Sequence, residues 1–291
     1  MAAPNVEFSK WHGIGNDYII LAAADLGFDL TPARAAALCE RHFGIGADGV
    51  LLWSGTEAAG FRLDIFNPDG SRAEMCGNGI RMLARHLVSR GFATGSPLAV
   101  DTDAGIIAPD VLADGSVRVF MGRARLGGAG ILGYEGVRGE SEAIGVTLEA
   151  AGSGHEFTFV SMGNPHCVIG VDRLDDLDLP LLGGAIENHF LFPERTNVEF
   201  MRVMGNGEVA MRVWERGVGE TNACGTGACA VAVTAIRTRG LSSPVTVHLP
   251  GGDLLIEVGE DMEVHMTGPA EEIYSGSLSE TFINRIKELR G

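Results

Sequence analysis

Lysine is nearly missing from this sequence: Lys10 and Lys287 are the only two in 291 residues. Pyridoxal phosphate is anchored through a lysine Schiff base beside a phosphate cradle. Neither lysine has a glycine-rich phosphate-binding neighbourhood, so no cofactor of that kind is expected. Positive charge is scarce altogether. With 22 basic against 38 acidic residues the net charge is −16, which argues against nucleic acid or an anionic membrane as partner. The eight histidines form no HExxH or paired-ligand spacing, so no metal site is expected. No apolar run approaches the roughly 18 residues of a membrane span. The start, MAAPNVEFSKWHG, lacks the apolar centre of a secretory signal. Five cysteines, at 39, 76, 167, 224 and 229, are an odd number with no disulfide-framework spacing. A reducing cytoplasm is therefore the expected compartment.

What is present is cysteine beside glycine, twice. ERGVGETNACGTGACA runs from Glu215 to Ala230, and its Cys224-Gly225-Thr226-Gly227 opens a small-residue apolar run that stops at Gly240. Earlier, FNPDGSRAEMCGNGIRMLARHLVSRG sets Cys76-Gly77-Asn78-Gly79 before a helical pattern that stops at Gly91. Each reads as a tight turn entering a helix. A cysteine there sits where unpaired N–H groups and the positive helix end converge, a place that holds carboxylates and draws a thiol pKa down from about 8.5. The two cysteines are 148 residues apart (224 − 76). The same offset links Asn16 to Asn164, Pro32 to Pro180, Asn67 to Glu215, and Gly15, Gly77 and Gly79 to Gly163, Gly225 and Gly227. Matches at separate places in one register mark a duplicated half, with a period too long for a solenoid. GNGIR and GTGACA are only fragments of a dinucleotide fingerprint, without its preceding strand and downstream acid.

The chain is long enough for two domains, each burying its own core. Short strands between Asp-Gly and Gly-Gly turns, with few long helices, predict an α+β fold. The expected architecture is two pseudo-symmetric domains, each a mostly antiparallel sheet or barrel around a central helix, with the active site in the cleft between them. The halves are expected at 1–125 and 126–267, with the glycine-rich 127–139 as the boundary and 268–291 packing back on the first half. Thr31-Pro32 reads as a helix start, the helix running to Phe43-Gly44.

Two helix-capping cysteines facing one another would suit the inversion of a stereocentre. One thiolate removes the α-proton of a bound amino acid from one face, and the other thiol returns a proton to the opposite face. Paired groups are needed because substrate and product are near mirror images at that carbon.

NPDGSRAEMCGNGIR and ERGVGETNACGTGACA resemble the two cysteine signatures of the diaminopimelate epimerase family, within the cofactor-independent amino-acid racemases. FSKWHGIGNDYI and SMGNPHCV resemble its N-terminal and mid-chain motifs, and the likeness covers nearly the whole chain. It implies interconversion of LL- and meso-diaminopimelate in lysine and peptidoglycan biosynthesis, with no cofactor. Cys76 and Cys224 would be the base and acid, and Gly77-Asn78 and Gly225-Thr226 would bind the reacting carboxylate. Asn16, Asn67, Asn164, Asn197, Glu215 and Arg216 would hold the substrate, mainly its distal end, with His166 in support. At that end Arg216 suits a carboxylate and Glu215 an ammonium. Some members carry glutamine where this chain has Gly49, so one polar contact is expected to be absent or replaced by backbone or water. The partner expected is diaminopimelate itself, with no nucleic acid and no membrane, and a homodimer is the assembly considered. Two other classes remain open: another isomerase on the same scaffold, such as a proline racemase relative, and a non-catalytic anion-binding module. The first has no use for Glu215 and Arg216, and the second does not need cysteine at both turns.

Cys39 and Cys229 fall in apolar helical patterns and read as buried small hydrophobes. Cys167 follows His166, a pairing that suggests a nucleophile. The two-base geometry would hold Cys76 and Cys224 sulfurs roughly 6–7 Å apart around a substrate. With both thiols lowered in pKa and the cleft empty, mild oxidant is expected to inactivate through a Cys76–Cys224 bond, with substrate protecting and a thiol reductant restoring activity.

Overall fold

The computed structural model describes residues 6–56, 60–128, 131, 142–205 and 207–289. Strands β1 (Glu7–Gly13) and β2 (Asn16–Ala22) lead into helices α1 (Ala23–Leu26) and α2 (Pro32–Cys39). Next come β3 (Val50–Thr56), β4 (Gly60–Phe66) and β5 (Arg72–Ala73), then helix α3 (Gly77–Ser89). Short strands β6 (Val100–Thr102), β7 (Gly105–Ile107) and β8 (Asp110–Val111) precede β9 (Val117–Arg123). They are followed by β10 (Val146–Ala150), β11 (Ser153–Ser161), β12 (Pro165–Gly170) and helix α4 (Leu179–Glu187). Then β13 (Asn197–Gly205), β14 (Glu208–Glu215) and β15 (Gly219–Thr221) bring the chain to helix α5 (Gly225–Arg239). The chain closes with β16 (Val245–Leu249), β17 (Gly252–Val258), β18 (Glu263–Gly268), β19 (Glu271–Ser277) and α6 (Glu280–Lys287).

Contacts divide the chain into one unit of Met1–Val119 with Gly268–Gly291 and another of Phe120–Thr267. The glycine-rich 127–139 segment, read from sequence as the boundary, lies largely outside the described residues. In the first unit the strand order is β19-β1-β2-β3-β4-β6-β7, with β5 on β4. In the second it is β10-β11-β12-β13-β14-β16-β17-β18, with β15 on β14. Adding 148 carries β1–β4 onto β11–β14, α2 onto α4 and α3 onto α5, and the pairing sense repeats. β2·β3 and β4·β6 are parallel, as are β12·β13 and β14·β16, while the remaining matched pairs are antiparallel. The duplication is thus one of topology as well as sequence. The parallel joins occur where a helix is carried between two strands, since a parallel neighbour cannot be reached by a tight turn.

Each long helix is the centre of its unit. α3 buries Ile80, Met82, Leu83, Ala84 and Leu87 and meets β1, β2 and β19. α5 is apolar nearly all round, and Gly227 to Ala235 are all buried against β11, β12, β13, β14, β16 and β17. A helix without a polar face must be enclosed, and the alanines and valines that make it so also let strands approach from many sides. In the last segment β19 pairs with β1 and α6 packs on α2, where Ile283 and Ile286 join the core of Leu38, Val50 and Phe66.

One helix differs from expectation. α2 ends at Cys39 rather than near Phe43, because Glu40 turns extended and its carboxylate takes the N–H groups of His42 and Phe43. Thr31 stands at its N-cap, but its hydroxyl makes no capping bond.

Candidate active site

In the first unit Cys76 is extended (φ −139°) and caps α3, its Sγ accepting the N–H of Gly79 at 3.3 Å. The Tyr18 hydroxyl donates to the same sulfur over 3.7 Å. Asn78 Nδ2 donates to Asn16 Oδ1 (3.1 Å), and Asn16 Nδ2 donates to Asp48 Oδ2 (3.0 Å). Arg81, fully buried on α3, holds Asn78 Oδ1 at 2.8 Å. Asn67 sits in the turn after β4 and donates to Ser71 Oγ. At Gly49 a Cβ would stand 2.4 Å from a Tyr18 ring carbon and 2.5 Å from the Phe66 carbonyl oxygen. The space in which a glutamine side chain would begin is therefore filled by the Tyr18 ring, which carries its hydroxyl to Cys76.

The second unit repeats the plan with other groups. Cys224 (φ −132°) caps α5 and accepts the Gly227 N–H at 3.3 Å, with the Thr226 hydroxyl 3.7 Å from its sulfur. Asn164 Nδ2 donates to Thr226 Oγ1 at 3.3 Å. Behind it, His166 Nε2 lies 3.1 Å from Asn164 Oδ1, and His166 Nδ1 lies 2.7 Å from Glu199 Oε1. Asn197 is structural as well as polar: Oδ1 accepts the Arg216 N–H and Nδ2 donates to the Pro165 carbonyl, both at 2.9 Å. The turn after β14 is pinned further by buried Glu187, which accepts from Trp214 Nε1 and the Gly217 N–H at 2.8 Å each.

Glu215 and Arg216 do not pair with each other. The Glu215 carboxyl takes the Thr221 hydroxyl. The exposed Arg216 guanidinium donates to the Glu194 carbonyl and forms no carboxylate ion pair among the described residues.

The electrostatics correct one expectation. Burial, then the Glu215 and Glu199 carboxylates, push the Cys224 thiol well above its usual pKa, outweighing the Gly227 N–H and the Thr226 hydroxyl. The helix-end argument predicts the opposite sign. It loses because a single N–H bond is small beside removing a thiolate from water next to two acids. Burial likewise raises Glu215. Cys39, Cys167 and Cys229 are buried too: burial pushes Cys39 up to about 12 and raises Cys167. Cys167 alternates with His166 on β12 and turns into the core of Phe159 and Phe200. All five cysteines are free thiols in this structure.

Lys10 is buried and engaged by Asp17 and the Gly46 carbonyl. Among the described residues no cluster of His, Cys, Asp and Glu could hold a metal, and no helix is long and apolar enough to cross a membrane.

Sequence reasoning missed two members of these sites, Tyr18 and Glu199. Each left a trace. Tyr18 stands 148 residues before His166, so the repeat itself pairs them. Glu199 is a lone acid in the apolar strand NVEFM, two residues after Asn197 and hence on its face.

The family model for diaminopimelate epimerase matches residues 8–127 and 158–273. The chain is 46% identical over 277 residues to the diaminopimelate epimerase of Pelotomaculum thermopropionicum, covering 93% of this chain and 98% of the relative. It is 48% identical over 277 residues to that of Desulforudis audaxviator, with the same 93% and 98% coverage. Among solved structures, a Bacillus anthracis phenazine biosynthesis protein of the PhzF family matches with TM-score 0.68 and 17% identity, over 95% of this chain and 100% of the other. A hydroxyproline epimerase from Agrobacterium vitis matches with TM-score 0.67 and 15% identity, over 96% and 94%. Those two distant likenesses carry the fold, whereas the near relatives share the sequence over almost its entire length: the chain belongs to the diaminopimelate epimerase family.

Proposed function

We propose that this chain interconverts LL- and meso-diaminopimelate by proton exchange at one α-carbon, using Cys76 and Cys224 and no cofactor. Family membership supports the substrate. The observation that carries the chemistry is the pair of cysteines, 148 residues apart (224 − 76), each capping the buried central helix of its unit and each accepting an N–H at 3.3 Å.

The residues take the following parts. The N-terminal N–H groups of α3 and α5, at Gly77-Asn78 and Gly225-Thr226, receive the carboxylate of the reacting end. One cysteine thiolate takes the α-proton, leaving its electron pair delocalised into that carboxylate. The other thiol then gives a proton to the opposite face, which inverts the centre and exchanges the roles of the two sulfurs. Cys224, held as a thiol by burial and by Glu215 and Glu199, is the donor of the resting protein, and Cys76 takes the first proton. Asn16, Asn67, Asn164 and Asn197 bind the substrate, and Arg216, whose guanidinium has no carboxylate partner among the described residues, receives its distal carboxylate.

Replacing Cys76 or Cys224 by Ser tests this. Serine is far too weak a base near neutrality, so each variant should lose about 10²–10⁴-fold in turnover while keeping its fold. Near-normal turnover of Cys76→Ser would refute the two-base reading.

A further inference from the structure

Glu199 is fully buried, and only one of its two carboxyl oxygens has a partner. Oε1 meets His166 Nδ1 at 2.7 Å, while Oε2 is buried with no hydrogen bond. The duplication supplies an internal control. The equivalent position in the first half is Leu51 (199 − 148), and that of His166 is Tyr18 (166 − 148). Both Leu51 and Glu199 lie beneath the first turn of a central helix. A Cβ on Gly79 would stand 3.0 Å from Leu51 Cδ2, and one on Gly227 would stand 2.8 Å from Glu199 Oε1. The fold is thus satisfied by leucine there. A carboxyl group that the fold does not need, placed where burying it is costly, calls for another explanation.

Counting protons supplies one. Asn164 turns its Nδ2 to Thr226, so the group it presents to His166 Nε2 is its amide oxygen, which can only accept. Nε2 must therefore carry a proton, and Glu199 Oε1, 2.7 Å away, engages the other ring nitrogen. Nε2–H then donates to Asn164, which fixes Oδ1 toward the imidazole and Nδ2 toward Thr226, as the 3.1 Å and 3.3 Å bonds require. The Thr226 oxygen accepts from Asn164, so its own proton is free for the Cys224 sulfur 3.7 Å away. With the opposite tautomer every bond in this chain would reverse, and the sulfur would have to donate.

We propose that Glu199 is a positioning residue: by holding His166 as a donor toward Asn164, it sets the direction of a hydrogen-bond chain that ends with the Thr226 hydroxyl directed at Cys224. The chain makes the sulfur an acceptor, which favours its thiolate when its turn as base comes. In the first half Tyr18 offers its hydroxyl to Cys76 directly and no relay is needed. The titratable groups around His166 and Cys224 are Glu199 on β13 and Glu215 on β14. The inference deepens the proposed proton-transfer role of Cys224 and rests on it for its catalytic consequence.

The test is nitrogen-15 NMR of histidine-labelled wild-type protein, with the His166 signals assigned by their loss in His166→Gln. The expected result in the free protein at neutral pH is a proton on Nε2 and a shared proton at Nδ1. A neutral ring protonated only on Nδ1 would overturn the proposal, whatever the activity. Kinetics give the second arm. Glu199→Leu, which copies the first half, should lower kcat about tenfold with KM little changed, the worth of roughly one lost hydrogen bond. Glu199→Gln, whose amide can still donate to Nδ1, should restore kcat to within about twofold of wild type. Equal kcat in Glu199→Leu and wild type would contradict the proposal. A correct tautomer in a protein with no epimerase activity would leave the relay standing and sink the proposed function instead.

Discussion

The Glu215 carboxylate raises the pKa of the Cys224 thiol, and burial pushes both groups toward their protonated forms. A carboxyl whose folded pKa is raised contributes stability that is fully present below its unfolded value, about 4.3, and lost as pH rises through the folded value. Glu215→Gln removes that dependence. The variant should match wild type near pH 4 and melt above it at pH 8. Thermal unfolding of both proteins across that range is the check. A variant less stable than wild type at pH 8 would show that the ionised carboxylate is stabilised in the folded state.

Arg216 separates binding from folding. Its exposed guanidinium touches only the Glu194 carbonyl among the bonds described, so Arg216→Met should leave the melting temperature unchanged. If it receives the distal carboxylate, its loss removes a charge-assisted bond of about 1.5–3 kcal/mol, and KM for diaminopimelate should rise about 10- to 150-fold with kcat less affected. Steady-state kinetics decide. An unchanged KM would place the distal carboxylate elsewhere.

Much of the fold and the candidate site is legible in the amino-acid sequence, and the reason is the repeat. A single glycine turn is common, but one register linking Cys76 to Cys224, Asn16 to Asn164 and Asn67 to Glu215 reads out a duplicated fold and most of the candidate site together. The parallel pairs β2·β3 and β4·β6 are not legible, because strand patterning carries side-chain alternation and not the direction of the neighbour. The sign of the Cys224 shift is not legible either. The sequence shows the helix end that lowers it, while the burial and the two acids that raise it come from segments brought together only by folding. Glu199 escapes notice because a strand residue reveals its partner only through cross-strand neighbours, here His166 on β12.

Gly49 tests how tightly the Tyr18 ring is held. A Cβ there meets the Tyr18 ring at 2.4 Å and the Phe66 carbonyl at 2.5 Å. Because one of these is backbone, side-chain adjustment alone cannot relieve the overlap. Gly49→Ala should cost about 1–3 kcal/mol in a denaturant titration, and adding Tyr18→Phe, which keeps the ring, should not recover it. An unchanged midpoint would mean that both the Tyr18 ring and the Phe66 backbone can give way.

The central claim is that the protein's own thiols exchange the α-proton of diaminopimelate with water. Proton NMR of LL-diaminopimelate in D2O, with purified protein and no added cofactor, tests it most directly. Deuterium should replace the α-proton as the LL and meso forms interconvert, and Cys76→Ser or Cys224→Ser should slow the conversion by about 10²–10⁴-fold. Interconversion with the α-proton retained, or conversion that requires an added cofactor, would contradict it.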